Sequence, residues 1–408
     1  MTIDVVVVGG GIAGSALATH LARAGREVVV LERAPAYRWR AGGVFTSPAT
    51  IAALGRLGLT EAELSTVSRP VPAMRVETRR GVDFRLTYGD DGSLSAPAVG
   101  LDRARLDPLL LELATTAGAD VRPGVSVTGV ARPAGAGGHF EIELSGPAAE
   151  TRTELARILV GADGLRSEVA RSMGVVRTTR WASRTALTYH LADPAADLPR
   201  DARMRILRDG YVGIAPVPRG RVNIGIVLGP IWRAALHADG AERIATRIVG
   251  AIPATPDDPA AWRNGEPTDA VEGATPIGQR VSAVAGPGWF LVGDAAGFLD
   301  PFTGEGIHRA LASAELAADA IDSLRAGRRH AAEAADAYQR AMRAQFRAKD
   351  WVSSLVQLFL GEPRLFEYAA RRLAARPGPR ETMGLVMGDL VPATRALNPR
   401  FLAALLRP

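Results

Sequence analysis

Six consecutive residues near the start, Gly9-Gly10-Gly11-Ile12-Ala13-Gly14, carry the first chemistry. Gly9, Gly11 and Gly14 have the spacing that lets a tight turn bring backbone amides against a pyrophosphate, with Ile12 and Ala13 opening a helix whose positive end favours the charge. Glu32 follows eighteen residues after Gly14, with Arg33 beside it, where a carboxylate can accept hydrogen bonds from an adenosine ribose. A glycine-rich turn without a nucleotide would leave Glu32 idle, so the pattern points to an ADP moiety. Two later clusters extend the site. Gly161-Ala162-Asp163-Gly164 closes one apolar run. Gly293-Asp294-Ala295-Ala296-Gly297 closes another and continues through Pro301, Gly304, Gly306 and Ile307. An aspartate at a strand end can hold a sugar or ribityl hydroxyl, and glycines at a helix start can receive an anionic ring. Three such clusters over most of the chain suit an extended ligand, FAD, bound without a covalent link.

The elements that must position these residues alternate in kind. The Ile3 to Val8 run reads as a strand buried on both faces, as in parallel sheets. A helix over Ala13 to Ala24 and a strand over Glu27 to Leu31 complete a βαβ opening. Leu155 to Asp163 and Trp289 to Asp294 read as further parallel-type strands. Residues near 75–88 and 181–229 alternate apolar and polar, with a turn at Pro218-Arg219-Gly220, and predict antiparallel hairpins. Gly135 to Gly138 reads as a hairpin tip. From about Ala310 the chain is helical, with breaks at Gly361-Glu362-Pro363 and Pro377-Gly378-Pro379. The fold expected is α/β: a Rossmann-like FAD-binding domain over 1–74, 98–180 and 270–330. An antiparallel-sheet substrate domain over 75–97 and 181–269 interrupts it, and 331–408 form a helical C-terminal part.

Composition removes whole classes of function. The 408 residues include no cysteine, which excludes disulfides, thiolate metal sites, iron–sulfur clusters and a cysteine-linked flavin. No metal site is expected. The net charge of +6 comes from scattered arginines, without a block of like charge, and no nucleic-acid partner is expected. Lys349 is the one lysine, so Walker-type phosphate loops and Schiff-base chemistry lack their residue. No basic leader and no long apolar run is present, and a cytoplasmic location without a membrane span is expected. The amphipathic stretches Trp351 to Leu360 and Leu365 to Leu373 suit packing on the body. A membrane surface or a carrier protein is the other reading.

Taken in order, the three motifs resemble the class A flavoprotein monooxygenase and geranylgeranyl reductase superfamily, typified by p-hydroxybenzoate hydroxylase, over about residues 3–325. Arg40-Ala41-Gly42 resembles the segment that meets the flavin pyrophosphate. Arg103, which opens the Arg103-x-x-Leu106-Asp107 pattern, resembles a helix residue that touches FAD. The resemblance implies Asp163 near the pyrophosphate, Asp294 on the ribityl chain, and Gly304 to Ile307 facing the isoalloxazine. Gly297 and Asp300-Pro301-Phe302-Thr303-Gly304-Glu305-Gly306-Ile307 resemble the reductase branch. Arg40-Ala41-Gly42-Gly43 resembles the monooxygenases instead. Tyr211-Val212-Gly213-Ile214-Ala215-Pro216 keeps only the Tyr and Pro of the reductases' Tyr-x-Trp-x-Phe-Pro. Lys349 comes too late for a halogenase lysine.

His190, Tyr211 and Asn223 are the candidate catalytic residues, although a histidine on a strand more often packs than reacts, and His308 reads as structural. The expected activity is FAD-dependent monooxygenation of an apolar aromatic, polyketide or terpenoid small molecule, with NAD(P)H as electron donor. Positioning and water exclusion are the protein's share of that chemistry. Reduction of a C=C bond in a prenyl or polyketide chain is the alternative.

Overall fold

The computed structural model describes residues 2–89, 97–133, 135, 138–146, 151–177, 184–196, 198–255, 258 and 260–406. Its central sheet runs in the order Ala285–Gly286, Trp289–Leu291, Thr151–Gly161, Thr2–Val8, Val28–Glu32, Asp120–Pro123. Thr2–Val8 pairs in parallel with both neighbours, and Trp289–Leu291 pairs in parallel with Thr151–Gly161. Val5, Val6 and Val7 are wholly buried, as a strand covered on both faces requires. The helices Ile12–Arg23 and Gly306–Arg325 pack against each other beside this sheet. Alanines at 16, 18, 314, 317 and 318, all buried, permit the close approach.

The hairpin Ser126–Ala131/Phe140–Ser145 adds antiparallel strands to the long strand Thr151–Gly161. Its tip at Gly135 to Gly138 falls partly outside the described residues.

A second, seven-stranded sheet runs Glu272–Ile277, Arg184–Ala192, Arg221–Leu228, Gly210–Val217, Ala202–Leu207, Ala73–Glu77, Asp83–Thr87. It is antiparallel except where Ala202–Leu207 lies parallel to Ala73–Glu77. Two details differ from the sequence reading. That parallel pair joins segments far apart in sequence, whose register no local alternation records. The strand Glu272–Ile277 pairs with Arg184–Ala192, so the sheet extends beyond residue 269.

One face of this sheet packs Leu187, Val212, Ile224 and Trp262 against the helix Ala241–Gly250. The other packs Met204, Tyr211 and Val217 with Ala370, Leu373, Val386 and Phe401 of the C-terminal helices. Those helices are Ala331–Gly361, Pro363–Ala375, Pro377–Met387 and Pro399–Leu406, each of the last three opening on a proline. The amphipathic stretches mostly face this core, with Trp351 and Leu358 left exposed. Among the described residues no helix is long and apolar enough to cross a membrane.

Candidate functional site

The strand Thr2–Val8 delivers the chain into Gly9, whose φ of +104° is a backbone state that glycine adopts freely. A Cβ there would lie 2.5 Å from the Ala162 carbonyl oxygen, and one on Gly14 would lie 1.9 Å from the Gly9 carbonyl oxygen. At Gly11 a Cβ would meet nothing within 4 Å. Two glycines thus seat the turn against the rest of the sheet, and the third leaves an open face. The helix Ile12–Arg23 has no side-chain cap and no acid in its first turn, so its amides are available to an external acceptor. Ile12 and Ala13 are buried in that first turn.

Glu32 locks the turn to the second strand. Its Oε2 accepts the Gly10 amide at 2.8 Å, and its Oε1 accepts the Ala34 amide at 2.9 Å and faces Arg40 at 3.3 Å. Arg33 beside it is exposed. Arg103 forks onto Asp107 at 2.5 and 2.7 Å and reaches the Gly43 carbonyl at 3.0 Å, tying the helix Arg103–Thr116 to the Arg40–Gly43 segment.

The other two motifs converge on this turn. Gly9 abuts Ala162 and Asp163, while a Cβ on Gly293 would stand 2.9 Å from the Ala13 methyl. Asp163 is partly spent on local structure, because its Oδ2 accepts the Glu168 and Val169 amides at 2.7 and 3.3 Å. Its Oδ1 is buried without a partner, and burial pushes its carboxyl above the usual range. Gly164 follows at a φ of +71°. Gly293 donates to Ser313 Oγ at 2.9 Å, which fixes the turn that presents Asp294. No donor among the described residues bonds the Asp294 carboxylate. Burial pushes it up to about 6, against the opposing pull of Arg103 and Arg309. Pro301 then opens a short turn, Gly304 takes a φ of +67° against the Phe45 ring, and Gly306 leaves open space before the buried Ile307.

The second sheet meets this loop through Tyr211. Its hydroxyl donates to Asp300 Oδ1 at 2.5 Å, and the same carboxylate accepts Arg184 at 2.9 Å and the Phe302 amide at 3.0 Å. Arg184 also donates to Gln357 at 2.5 Å, and the Tyr211 and Phe302 rings meet edge to face at 5.0 Å. Burial and the Asp300 charge push the Tyr211 hydroxyl well above its ordinary value, so it serves as a donor that keeps its proton. His190 sits on the same face of the sheet by the two-residue period of its strand. Its Nδ1 lies 2.6 Å from Asp269 Oδ2, its Nε2 lies 3.4 Å from Asn223 Nδ2, and its ring meets Trp39 at 4.5 Å. Asn223 also donates to Thr188 Oγ1 at 3.0 Å. Between the Tyr211 and Asn223 positions, Gly213 and Gly225 pair in register, and a Cβ on either would find only ordinary contacts at 3.7–3.9 Å. The paired glycines leave room for at least a methyl group on this face, between Tyr211 and the His190–Asn223 pair. His190 and Asn223, both named as candidates from the sequence, come together here with Asp269, which was not.

Asp269, Arg184, Gln357 and Lys349 were missed as site residues, and nothing local marks them. Asp300 stood within the quoted loop motif and could have been found there as the acid preceding Pro301. Lys349, set aside because it comes late in the chain, lies 3.5 Å from Glu305 of that loop. Among the described residues no cluster has the makings of a metal site.

A parallel sheet whose glycine turn faces two further glycine–aspartate turns, with a second sheet bonded to the last of them, defines a dinucleotide-binding flavoprotein. The chain belongs to the FAD binding domain family, which matches residues 2–349, and within it to the FAD-dependent monooxygenase and geranylgeranyl reductase superfamily. It is 32% identical over 329 residues to a menaquinone reductase of Mycolicibacterium smegmatis, covering 78% of this chain and 76% of that one. It is 30% identical over 340 residues to digeranylgeranylglycerophospholipid reductase 2 of Methanothermobacter thermautotrophicus, covering 79% and 80%. A flavoprotein/dehydrogenase of Cytophaga hutchinsonii superposes with a TM-score of 0.80 at 18% identity over 97% of this chain and 95% of that one. The protein is an FAD-dependent oxidoreductase.

Proposed function

We propose that this oxidoreductase reduces a carbon–carbon double bond in an apolar, isoprenoid-type molecule, with NAD(P)H as the electron source. The observation that carries the proposal is the identity of 32% with a menaquinone reductase across about three quarters of both chains. The sequence alone leans to oxygen transfer, and this likeness moves the reading to reduction.

The residues fit FAD. The open face at Gly11 and the uncapped first turn of Ile12–Arg23 suit the pyrophosphate, with Arg40 and Arg103 alongside. Glu32 keeps lone pairs for the adenosine ribose, and the unpartnered Asp294 suits the ribityl hydroxyls. The open space at Gly306 suits the ring. Bound there, FAD supplies hydride transfer. The chain's own groups do the rest. Tyr211, Arg184 and Asp300 hold the Pro301–Gly306 turn in place. The gap at Gly213 and Gly225 receives the substrate, and His190 and Asn223 present the polar groups that orient it. The apolar surroundings exclude water.

The test is anaerobic turnover of an isoprenoid quinone by enzyme reduced with NAD(P)H. The proposal expects a product formed without O₂ that carries two added hydrogens on its isoprenoid chain and keeps them after any quinol is reoxidised. Monooxygenation is the second reading, favoured by the Arg40-Ala41-Gly42-Gly43 segment. A product that forms only with O₂ and carries one labelled oxygen atom overturns reduction in its favour.

A further inference from the structure

The lone lysine is buried behind the loop assigned to the flavin ring. Lys349, on the long helix Ala331–Gly361, is 6% exposed. Its Nζ donates to the Val386 carbonyl and to Asp389 Oδ1, both at 2.6 Å, and stands 3.5 Å from Glu305 Oε1. Glu305 Oε1 and Asp389 Oδ2 are buried without hydrogen-bond partners. One ammonium thus faces two carboxylates that came together from three separate elements. Asp389 takes the direct bond, so the Glu305 charge is the one left incompletely matched.

The position of Glu305 gives that charge a target. It is the residue that starts the helix Gly306–Arg325, and its side chain turns to Lys349 instead of capping the helix. The helix start is thus left without a side-chain cap, and a Cβ on Gly306 would meet nothing within 4 Å. A helix start carries a partial positive charge of roughly half a unit, which a carboxylate within the first turn offsets. Reduction of the ring by a hydride donor adds two electrons and one proton, so it adds one negative charge. That charge is stabilised by whatever part of the helix end the Glu305 carboxylate leaves uncancelled.

We propose that Glu305, held by Lys349, sets the reduction potential of the bound flavin through the start of helix Gly306–Arg325. The inference rests on the ring facing that helix end, as assigned above. With Glu305 ionised the reduced ring is disfavoured and the potential is lower. With Glu305 protonated the potential is higher.

The surroundings place this change near neutrality. Burial pushes the Glu305 carboxyl up to about 7, against Lys349, Arg309 and a bond from Thr303, with Asp389 adding to the rise. Arg309, from the same helix, is committed to Asp350. His308 faces Asp389 at 3.4 Å, and burial pulls its pKa down, so the neutral ring is favoured and adds no competing charge near pH 7.

The test measures the two-electron midpoint potential of the FAD-loaded protein by dye equilibration, without substrate, on both sides of pH 7. Wild type should show an added pH dependence centred about pH 7. Glu305→Gln should remove that inflection. Its potential should match wild type at low pH and lie above it at high pH. The expected difference is about tenfold in the ratio of reduced to oxidised flavin, or about 30 mV for a two-electron couple. Lys349→Met should move the inflection to higher pH, since the carboxylate loses its counter-charge.

Parallel curves for wild type and Glu305→Gln at every pH overturn the proposal, and that variant decides the matter even if Lys349→Met fails to fold. The ring's placement is read separately from the flavin absorption spectrum of Gly306→Val. An unchanged spectrum there removes the ring from the helix start and overturns the proposal at its base. A changed spectrum with parallel potentials overturns the charge control alone.

Discussion

The two ends of the candidate FAD crevice are built by different means. At the glycine turn the backbone does the holding: Gly9 seats against Ala162, Gly14 against Gly9, and Glu32 accepts backbone amides. At the loop after Asp300 side chains do it, and they come from two other layers. Tyr211 and Arg184 come from the second sheet and Gln357 from a C-terminal helix. The first end is local and rigid by construction. The second depends on the docking of separate layers, so a single truncation there should reach further through the molecule.

Asp300→Ala should have the largest effect. It leaves Arg184 and the Tyr211 hydroxyl without their shared acceptor, at a cost of about 3–5 kcal/mol. Denaturant unfolding should show that loss, together with a flavin that dissociates more readily. Unchanged stability would mean that the side-chain end is no more tightly built than an exposed loop.

Asp294→Ala removes a charge-assisted hydrogen bond and should weaken FAD binding by roughly one to two decades. The same group gives a pH dependence. Its carboxyl, raised to about 6 in the free protein, accepts ribityl hydroxyls best when ionised. FAD affinity should therefore hold above about pH 6 and fall as pH drops below it, read by equilibrium titration of flavin fluorescence. In Asp294→Ala that fall should vanish, and its persistence would remove Asp294 from the ribityl chain.

Gly9→Ala tests the backbone end. An alanine at a φ of +104° with its Cβ 2.5 Å from a carbonyl should cost about 1–3 kcal/mol and release FAD. Thermal unfolding with and without added FAD separates the two effects. Tyr211→Phe should be the mildest change, about 0.5–1.5 kcal/mol for one hydrogen bond. Its Arg184–Asp300 pair survives, so FAD should stay bound. A loss as large as that of Asp300→Ala would make Tyr211, and not the ion pair, the clasp between the layers.

The glycine end was legible in the sequence because its determinants are local. A valine run, three spaced glycines and an acid eighteen residues on all fall within the first thirty-two residues. The strand Trp289–Leu291, and Thr151–Gly161 from Leu155 onward, were legible for the same reason, as apolar runs leading to Gly and Asp; the polar, largely exposed start Thr151 to Glu154 was not. The loop end was half legible. Its glycines and Asp294 stand in a motif, but its clasp depends on Arg184 and Gln357, which have no pattern of their own. His190 and Asn223 could be picked out from sequence as polar residues on apolar strands. Asp269, which bonds His190 from beyond the helix Ala241–Gly250, could not. Register between distant strands likewise follows from tertiary packing, which is why Glu272–Ile277 was grouped with the wrong layer.

The solitary lysine also turns the C-terminal layer into its own reporter. With Lys349 enclosed beneath the loop, an amine-directed reagent finds no exposed lysine side chain on the native protein. Labelling of that side chain must wait for the long helix and the Asp389 turn to part. The speed at which Lys349 is labelled thus counts openings of that layer, much as slow amide exchange counts them elsewhere. A chain that used arginine almost everywhere has left one chemical marker where its layers join.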